Sequence, residues 1–233
     1  RMTHPSLTLV YMMYDEEPNI AQVLDEGIAF ATADLDTWEI IVVDDGSSDG
    51  GPAIVREYAA REPRVRLVQH DRNRGMGAAM RTGIQNARLD YFVFLPADGQ
   101  VVAAELRKLL PLLPGCDVAL SVYEDRGEGV ARKLMSRAFR DYMLIVGGIG
   151  FAYEGLYVFP TSRAKEFLPN VKADTFFFSF EILQMAVDAG MRFATTPIVC
   201  KPRLAGESKV ANRRRIMRVA REVWEYRKRK LAR

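Results

Sequence analysis

Thiols and imidazoles are scarce in this chain. Two cysteines, Cys116 and Cys200, stand far apart without C-x-x-C spacing, and the two histidines, His4 and His70, have no partner near them in the sequence. Neither a zinc site nor a disulfide framework is expected, and a reducing, cytoplasmic setting fits. Long apolar runs are missing as well. The longest uncharged run, "YMLIVGGIGFAY" between Asp141 and Glu154, holds 12 residues, short of the ~20 that a spanning helix needs. No membrane crossing is expected. The opening "RMTHPSLTLV" has no apolar core followed by a small-residue cleavage site, so no secretory leader is expected either. Internal repeats and low-complexity linkers are absent.

A surplus of basic charge is confined to one end. The formal net charge is +3 over 233 residues, yet the segment from Arg213, "RRRIMRVAREVWEYRKRKLAR", contributes about +8 and the rest of the chain about −5. What remains is ordinary: 48% hydrophobic and 27% charged residues, enough for a sizeable core in a single domain.

Apolar, β-branched runs alternate with longer helical patterns. Strands are expected at 7–14, 39–45, 65–70, 91–97 and 117–123, with helices at 18–31, 51–61, 76–88 and 101–113. That alternation predicts an α/β protein with a mostly parallel sheet covered by helices on both faces. In such sheets ligands bind at the carboxyl ends of the strands. After about residue 125 the rhythm changes: a long helix over roughly 130–146, a glycine-rich "VGGIG", a strand-like "GLYVFP", an aromatic helix around "FFFSFEILQMAVDAG", a strand "RFATTPIVC" and the basic terminal helix. The expected organisation is one domain over 1–209, with a nucleotide-binding part at about 6–124 and a smaller part at about 125–209, then a helix over 210–233.

The strand ends carry the chemistry. "YDEEPNI" ends the first strand, and its acids can cap the next helix. The second ends in "VVDDGSSDG". Asp44 and Asp45 suit a turn, and equally a carboxylate at the sheet edge that accepts hydrogen bonds from a nucleobase or ribose. The third leads to "NRGMGAAM", whose Gly75 and Gly77 could admit a phosphate to backbone N–H groups or simply allow tight helix packing. It is no dinucleotide fingerprint, since Met80 stands where the third glycine would be. The fourth ends in "FLPADGQ", where Asp98-Gly99 is either an ordinary turn or one half of an Asp-x-Asp cation motif, with Pro96 in place of the first acid. Acids and glycines delivered to one edge by three strands make a cleft for a nucleoside diphosphate and a cation.

In combination and order, these motifs resemble family-2 glycosyltransferases, specifically the branch with dolichyl-phosphate mannosyltransferases and related polyprenyl-phosphate sugar transferases. "YDEEPNI", "VVDDGSSDG", "NRGMGAAMRTGIQNA", "LPADGQ" and "FFFSFEILQMAVDAGMRFATTPIVCKPRLAGESK" carry the likeness over roughly residues 7–209. The resemblance implies a GT-A (Rossmann-like) fold with a smaller acceptor-side lobe, a UDP- or GDP-sugar donor, Mg2+ or Mn2+, and inversion at the anomeric carbon. By position, Tyr14, Glu16, Asp44, Asp45 and Arg74 would hold the nucleotide, and Asp98 with Gln100 the metal. Arg132 and Ser136 would bind an acceptor phosphate, with Arg203, Ser208 and Lys209 closing over donor or acceptor phosphates. Plain basic or polar surface is the alternative meaning of those five.

Two departures bear on mechanism. Pro96 replaces the first metal-motif acid, and Phe151 stands where many relatives carry an Asp. Magnesium often uses one or two carboxylates plus waters and substrate phosphates, so a modified working site is expected rather than a relic. A hydroxyl acceptor would require a base, for which Glu154 and Glu181 are the candidates beside Asp98; a lipid phosphate, already anionic, would need little help. Ile216, Val219, Ala220 and Val223 form one stripe of the terminal helix. The stripe either packs on the domain with a solvated basic face or brings residues 213–233 to an anionic membrane, as a peripheral protein on its cytoplasmic face. The rivals are a catalytically degenerate nucleotide-sugar-binding or partner protein of the same fold, an RNA-binding module and a dehydrogenase. No base-stacking motif accompanies the charge, so nucleic acid is not expected as a partner.

Overall fold

The computed structural model describes residues 5–124, 137, 141–148, 155–201 and 213–232. Among the described residues seven strands form one sheet, in the order β3-β2-β1-β4-β6-β5-β7. The strands are β1 (Leu7–Met13), β2 (Trp38–Asp44), β3 (Val65–Gln69), β4 (Tyr91–Pro96), β5 (Val118–Tyr123), β6 (Tyr157–Pro160) and β7 (Phe193–Ile198). The first four are mutually parallel, with Leu7 facing Trp38 in β2 and Tyr91 in β4. β6 runs antiparallel between β4 and β5, and β7 lies parallel to β5. The expected mostly parallel α/β architecture is what forms.

The central strands are apolar because both faces are covered. Leu7, Leu9, Tyr11 and Met13 of β1 enter one core with Ile20 and Leu24 of α1 (Glu17–Asp34), while Val10 enters the other with Met80 and Ile84 of α3 (Met76–Asn86). That is the period-2 alternation of a strand. The second core also receives Phe177, Phe178 and Ile182 of α6 (Phe177–Asp188) and Val219, Val223 and Tyr226 of α7 (Arg213–Leu231). The first is flanked by α2 (Gly51–Arg61).

One expected helix is broken. Instead of a single helix over 101–113, two 3-10 segments flank the short α4 (Leu106–Leu109). Pro111 and Pro114 lack the N–H groups that an α-helix would need there. The later segments give β6, then α5 (Thr161–Phe167), α6 and β7. Of the expected helix over 130–146, the described part ends in a π-helical turn, Met143–Gly147. No helix among the described residues is long and apolar enough to cross a membrane. The terminal stripe divides: Val219 and Val223 are buried, whereas Ile216 is exposed.

Candidate active site

The chain leaves β1 for β2 on one side and returns to β4 on the other, so the switch point of the sheet lies between β1 and β4. That is where an open α/β sheet forms its ligand crevice, at the carboxyl ends of the strands. Register sets what faces it. Met13 pairs with Asp44 and Met12 with Pro96, and the amides of Asp45 and Ala97 bond on to the carbonyls of Met13 and Met12. Tyr14, the Asp44-Asp45 pair and Asp98 thus emerge side by side.

The loops after β1 and β2 are stitched together. Asp15 adopts φ 49°, a region that Asp tolerates better than most residues. Its N–H donates to Ser47 Oγ at 2.8 Å, and its Oδ1 accepts the Ser48 amide at 2.8 Å. Glu17 and Asp49 exchange bonds in the same way: the Glu17 amide donates to Asp49 Oδ2 and the Gly50 amide to Glu17 Oε2. Glu16, buried, accepts Asn19 Nδ2 at 2.7 Å. Tyr14 is half-buried at the rim. Gly46 has φ +75°, and a Cβ there would collide with the Arg72 backbone, so only glycine lets the β2 loop pass under the β3 loop.

Asp44 and Asp45 are buried and already hydrogen-bonded. Asp44 Oδ1 accepts from the amide and hydroxyl of Ser47, and Oδ2 accepts Gln69 Nε2 at 2.8 Å. Asp45 Oδ1 accepts His70 Nδ1 and the Arg74 amide, each at 2.8 Å, and its Oδ2 accepts the Gly75 amide at 2.8 Å. A carboxylate has about four acceptor positions, and three are filled on each; Asp45 keeps 5% exposure and Asp44 none. Facing a carboxylate, His70 Nδ1 is assigned as the donor; its Nε2 meets Thr82 Oγ1 at 2.9 Å.

His70, for which the sequence shows no nearby partner, is thus a buried partner of Asp45. Its partners lie 25 and 12 residues away, and no local pattern points to them.

The glycine motif resolves towards packing. The Gly77 amide donates to Asp174 O at 3.0 Å, and a Cβ on Gly77 would sit 2.5 Å from the Asp174 carbonyl carbon. With the Gly75 amide on Asp45, both glycine N–H groups are occupied. The Arg74 side chain is exposed and paired with Asp71 at 2.7 Å. That contact holds the Asp71 carboxyl below its ordinary range, mainly through the hydrogen bond from Arg74.

Asp98 differs from Asp44 and Asp45. It is half-buried, and its Oδ1 accepts the Gln100 amide at 3.1 Å in a short turn completed by Gly99 at φ 73°. The carbonyl of Gln100 accepts the Lys201 amide at 2.8 Å, fixing the turn from the far side. Among the described residues no group of three or more His, Cys, Asp or Glu could hold a metal ion. One carboxylate with an oxygen to offer fits a hard cation that takes its other ligands from a diphosphate and water. It does not fit a self-sufficient protein cage.

Glu181 is 3% exposed, with Oε2 on the amides of Lys172 and Ala173 and Oε1 on Arg229 at 2.7 Å. Its carboxylate ties α6, the 172–173 loop and α7 together. Glu154, Arg132, Ser136, Arg203, Ser208 and Lys209, and Phe151 with them, lie outside the described residues.

Comparison with known proteins bears on the family and the fold. The profile described as Glycosyl transferase family 2 matches residues 8–184. A dolichyl-phosphate beta-glucosyltransferase of Trichomonas vaginalis is 29% identical over 210 residues, covering 82% of this chain and 62% of the relative. An undecaprenyl-phosphate 4-deoxy-4-formamido-L-arabinose transferase of Edwardsiella ictaluri is 32% identical over 133 residues, covering 56% of this chain and 41% of the relative. The chain spans less than two thirds of the length of these relatives. Among solved structures, glucosyl-3-phosphoglycerate synthase of Mycobacterium tuberculosis, in complex with Mn2+, UDP-glucose and phosphoglyceric acid, aligns with a TM-score of 0.67 at 16% identity, over 94% of this chain and 80% of that one. Mannosyl-3-phosphoglycerate synthase of Rubrobacter xylanophilus aligns at 0.63 and 15% identity, over 98% and 74%.

Proposed function

This chain belongs to glycosyl transferase family 2, and on that premise we propose that it is an inverting glycosyltransferase moving a sugar from a UDP- or GDP-sugar to a polyprenyl phosphate. The observation that carries the reading is Asp98. It is a half-buried carboxylate at the switch-point crevice, one strand from the buried Asp44-Asp45 pair. The fold neighbour crystallised with Mn2+ and UDP-glucose and the relatives named for dolichyl and undecaprenyl phosphate support the donor and acceptor classes.

Tyr14 and Glu16 would line the nucleotide pocket. Asp44 and Asp45 would hold base and ribose, Asp45 through its remaining acceptor position and Asp44 once the loop around Ser47 gives way to the ligand, and Arg74 would turn from Asp71 to the nucleotide. Asp98 and Gln100 would hold Mg2+ or Mn2+, which when bound neutralises charge on the departing diphosphate. A phosphate oxygen of the acceptor would attack the anomeric carbon from the face opposite the leaving group. The bond from that carbon to the diphosphate oxygen breaks, and its electron pair departs with the nucleoside diphosphate. Arg132 and Ser136 would position the acceptor phosphate; Arg203, Ser208 and Lys209 would counter the charge of both. An anionic acceptor needs no strong base, which suits a chain whose Glu181 is held by three structural donors. Glu154 remains as the base for a hydroxyl acceptor.

Calorimetric titration with UDP, GDP and dTDP, each with Mn2+ or Mg2+ and again with EDTA, tests the reading. Metal-dependent binding of one nucleotide, followed by transfer from its sugar to a polyprenyl phosphate, is the expected result. Binding without transfer to any acceptor would favour the degenerate nucleotide-sugar-binding protein, for which Pro96 is the motive. No binding would end both.

A further inference from the structure

The described surface exposes nine large apolar side chains, and six of them fall on two adjoining elements: Leu144 and Ile145 on the π-helical turn, and Ile216, Met217, Trp224 and Leu231 on α7. The elements touch. Tyr142 Oη donates to the Ala220 carbonyl at 2.9 Å, and Arg227 Nη1 lies against Gly148 at the end of the turn. At 100° per residue, Ile216, Ala220, Trp224 and Leu231 share one side of α7, beside the face where Val219, Val223 and Tyr226 enter the core. The helix therefore has a second stripe, apolar but for Arg227, and the core uses only the first. Ile145 is 76% exposed and Trp224 53% exposed.

Charge identifies what covers the second stripe. The helix sequence holds nine basic and two acidic residues. Both acids are engaged: Glu225 with Arg221 at 2.8 Å, and Glu222 with the amides of Asp174 and Thr175. Lys228 extends over the Trp224 ring at 5.5 Å, and neither it nor Arg227 forms an ion pair among the described residues. Exposed aromatic and aliphatic side chains with lysine and arginine beside them suit the headgroup region of an anionic bilayer. A second copy of this chain would bring like charges together.

We propose that the second stripe of α7 and the 143–147 turn form one seat on an anionic membrane, with Trp224, Ile145 and Leu144 entering the interface and Arg221, Arg227 and Lys228 meeting lipid phosphates. The proposal deepens the reading above, since it rests on an acceptor that resides in a bilayer, and it gives the terminal helix a defined face. The opposite side of the helix leads to the crevice. Glu222 holds Asp174 and Thr175, and the Asp174 carbonyl holds the Gly77 amide at the start of α3.

The test uses the full chain with phosphatidylcholine vesicles, alone or mixed with phosphatidylglycerol. The two tryptophans make it selective, because Trp38 is 4% exposed and Trp224 53%. A blue shift of emission and protection from acrylamide on adding vesicles reports Trp224. We expect sedimentation with the mixed vesicles and a blue shift. The Trp224→Asp/Ile145→Asp double variant should weaken association by about tenfold or more, while Trp224→Phe keeps it, with melting curves confirming that both fold. Absence of vesicle association overturns the proposal. So does association that depends on Arg221 and Lys228 yet ignores Ile145 and Trp224, or protection of Trp224 by self-association without lipid. Nucleotide titration of the same preparations separates the two readings. Vesicle failure with nucleotide binding intact removes the seat alone, and nucleotide failure with vesicle binding intact removes the transferase alone.

Discussion

Arg229, near the end of the last helix, reaches Glu181 on α6 at 2.7 Å and supplies the only cationic partner of that carboxylate among the described residues. Glu181 is buried to 3% exposure, while the Arg229 side chain keeps 39% of its surface in water. The ion pair thus fastens a basic surface helix to the interior.

Arg229→Ala leaves a buried carboxylate with two amide donors and no countercharge. The expected loss is about 1–3 kcal/mol, below that of a fully buried pair because Arg229 is partly solvated. Urea denaturation measures it. A midpoint unchanged by the substitution would mean that α7 is not fastened through this contact. Glu181→Gln in the same background should recover part of the loss.

Asp98→Ala should abolish metal-dependent nucleotide binding, whereas Pro96→Ala should change it little. Pro96→Asp, which adds a second carboxylate at the end of β4, should tighten Mn2+ binding. Titration of the ion alone should give weak binding, since the protein offers one carboxylate and the diphosphate supplies the rest. Tight binding without nucleotide, or equal losses in the Asp98 and Pro96 variants, would remove Asp98 from the metal site.

His70→Ala should loosen the turn that precedes α3. Asp45 would lose its imidazole donor and Thr82 its partner, at a cost of about 2 kcal/mol for a hydrogen bond to a charged group. Affinity for nucleotide should fall through misplacement of Arg74 and Gly75. Comparing the melting temperature with the nucleotide Kd of His70→Ala and His70→Asn separates the effects. The amide of the His70→Asn variant can still donate to Asp45, so this variant should keep more of the affinity than of the stability. Equal affinity in the wild type and both variants would leave His70 a purely structural residue.

Burial pushes the Cys116 thiol above its ordinary range, and Cys200 is only half-buried. The thiolate is the reactive form. An aromatic disulfide reagent at mildly alkaline pH should therefore modify one thiol quickly, mapped by peptide mass to Cys200, and the second only after denaturation. Rapid modification of Cys116 would contradict the packing of the segment before β5.

The sequence alone determined that a buried, mostly parallel sheet forms and where its strands end; the strand order and the antiparallel β6 came from the tertiary structure. Buried parallel strands must be apolar on both faces, so "LTLVYMM" and "WEIIVVD" could be little else, and the letters after such runs must lie at carboxyl ends. This is why Asp44, Asp45 and Asp98 could be read as candidates at one edge of the sheet, whereas Tyr14 was named only through the family resemblance. Tertiary structure decided which groups already have partners. His70, Gln69 and Asp174 meet the site from 25 or more residues away in sequence, through bonds that no periodicity encodes. They hold the Asp44 and Asp45 carboxylates in place and tie Gly77 into the frame. The terminal helix teaches the same lesson. Its amphipathic pattern was plain, but only the packing of Val219, Val223 and Tyr226 showed that one apolar stripe belongs to the core and that another, with Trp224, faces outward. Side-chain periodicity says which residues share a face; what that face meets depends on elements brought together by the fold.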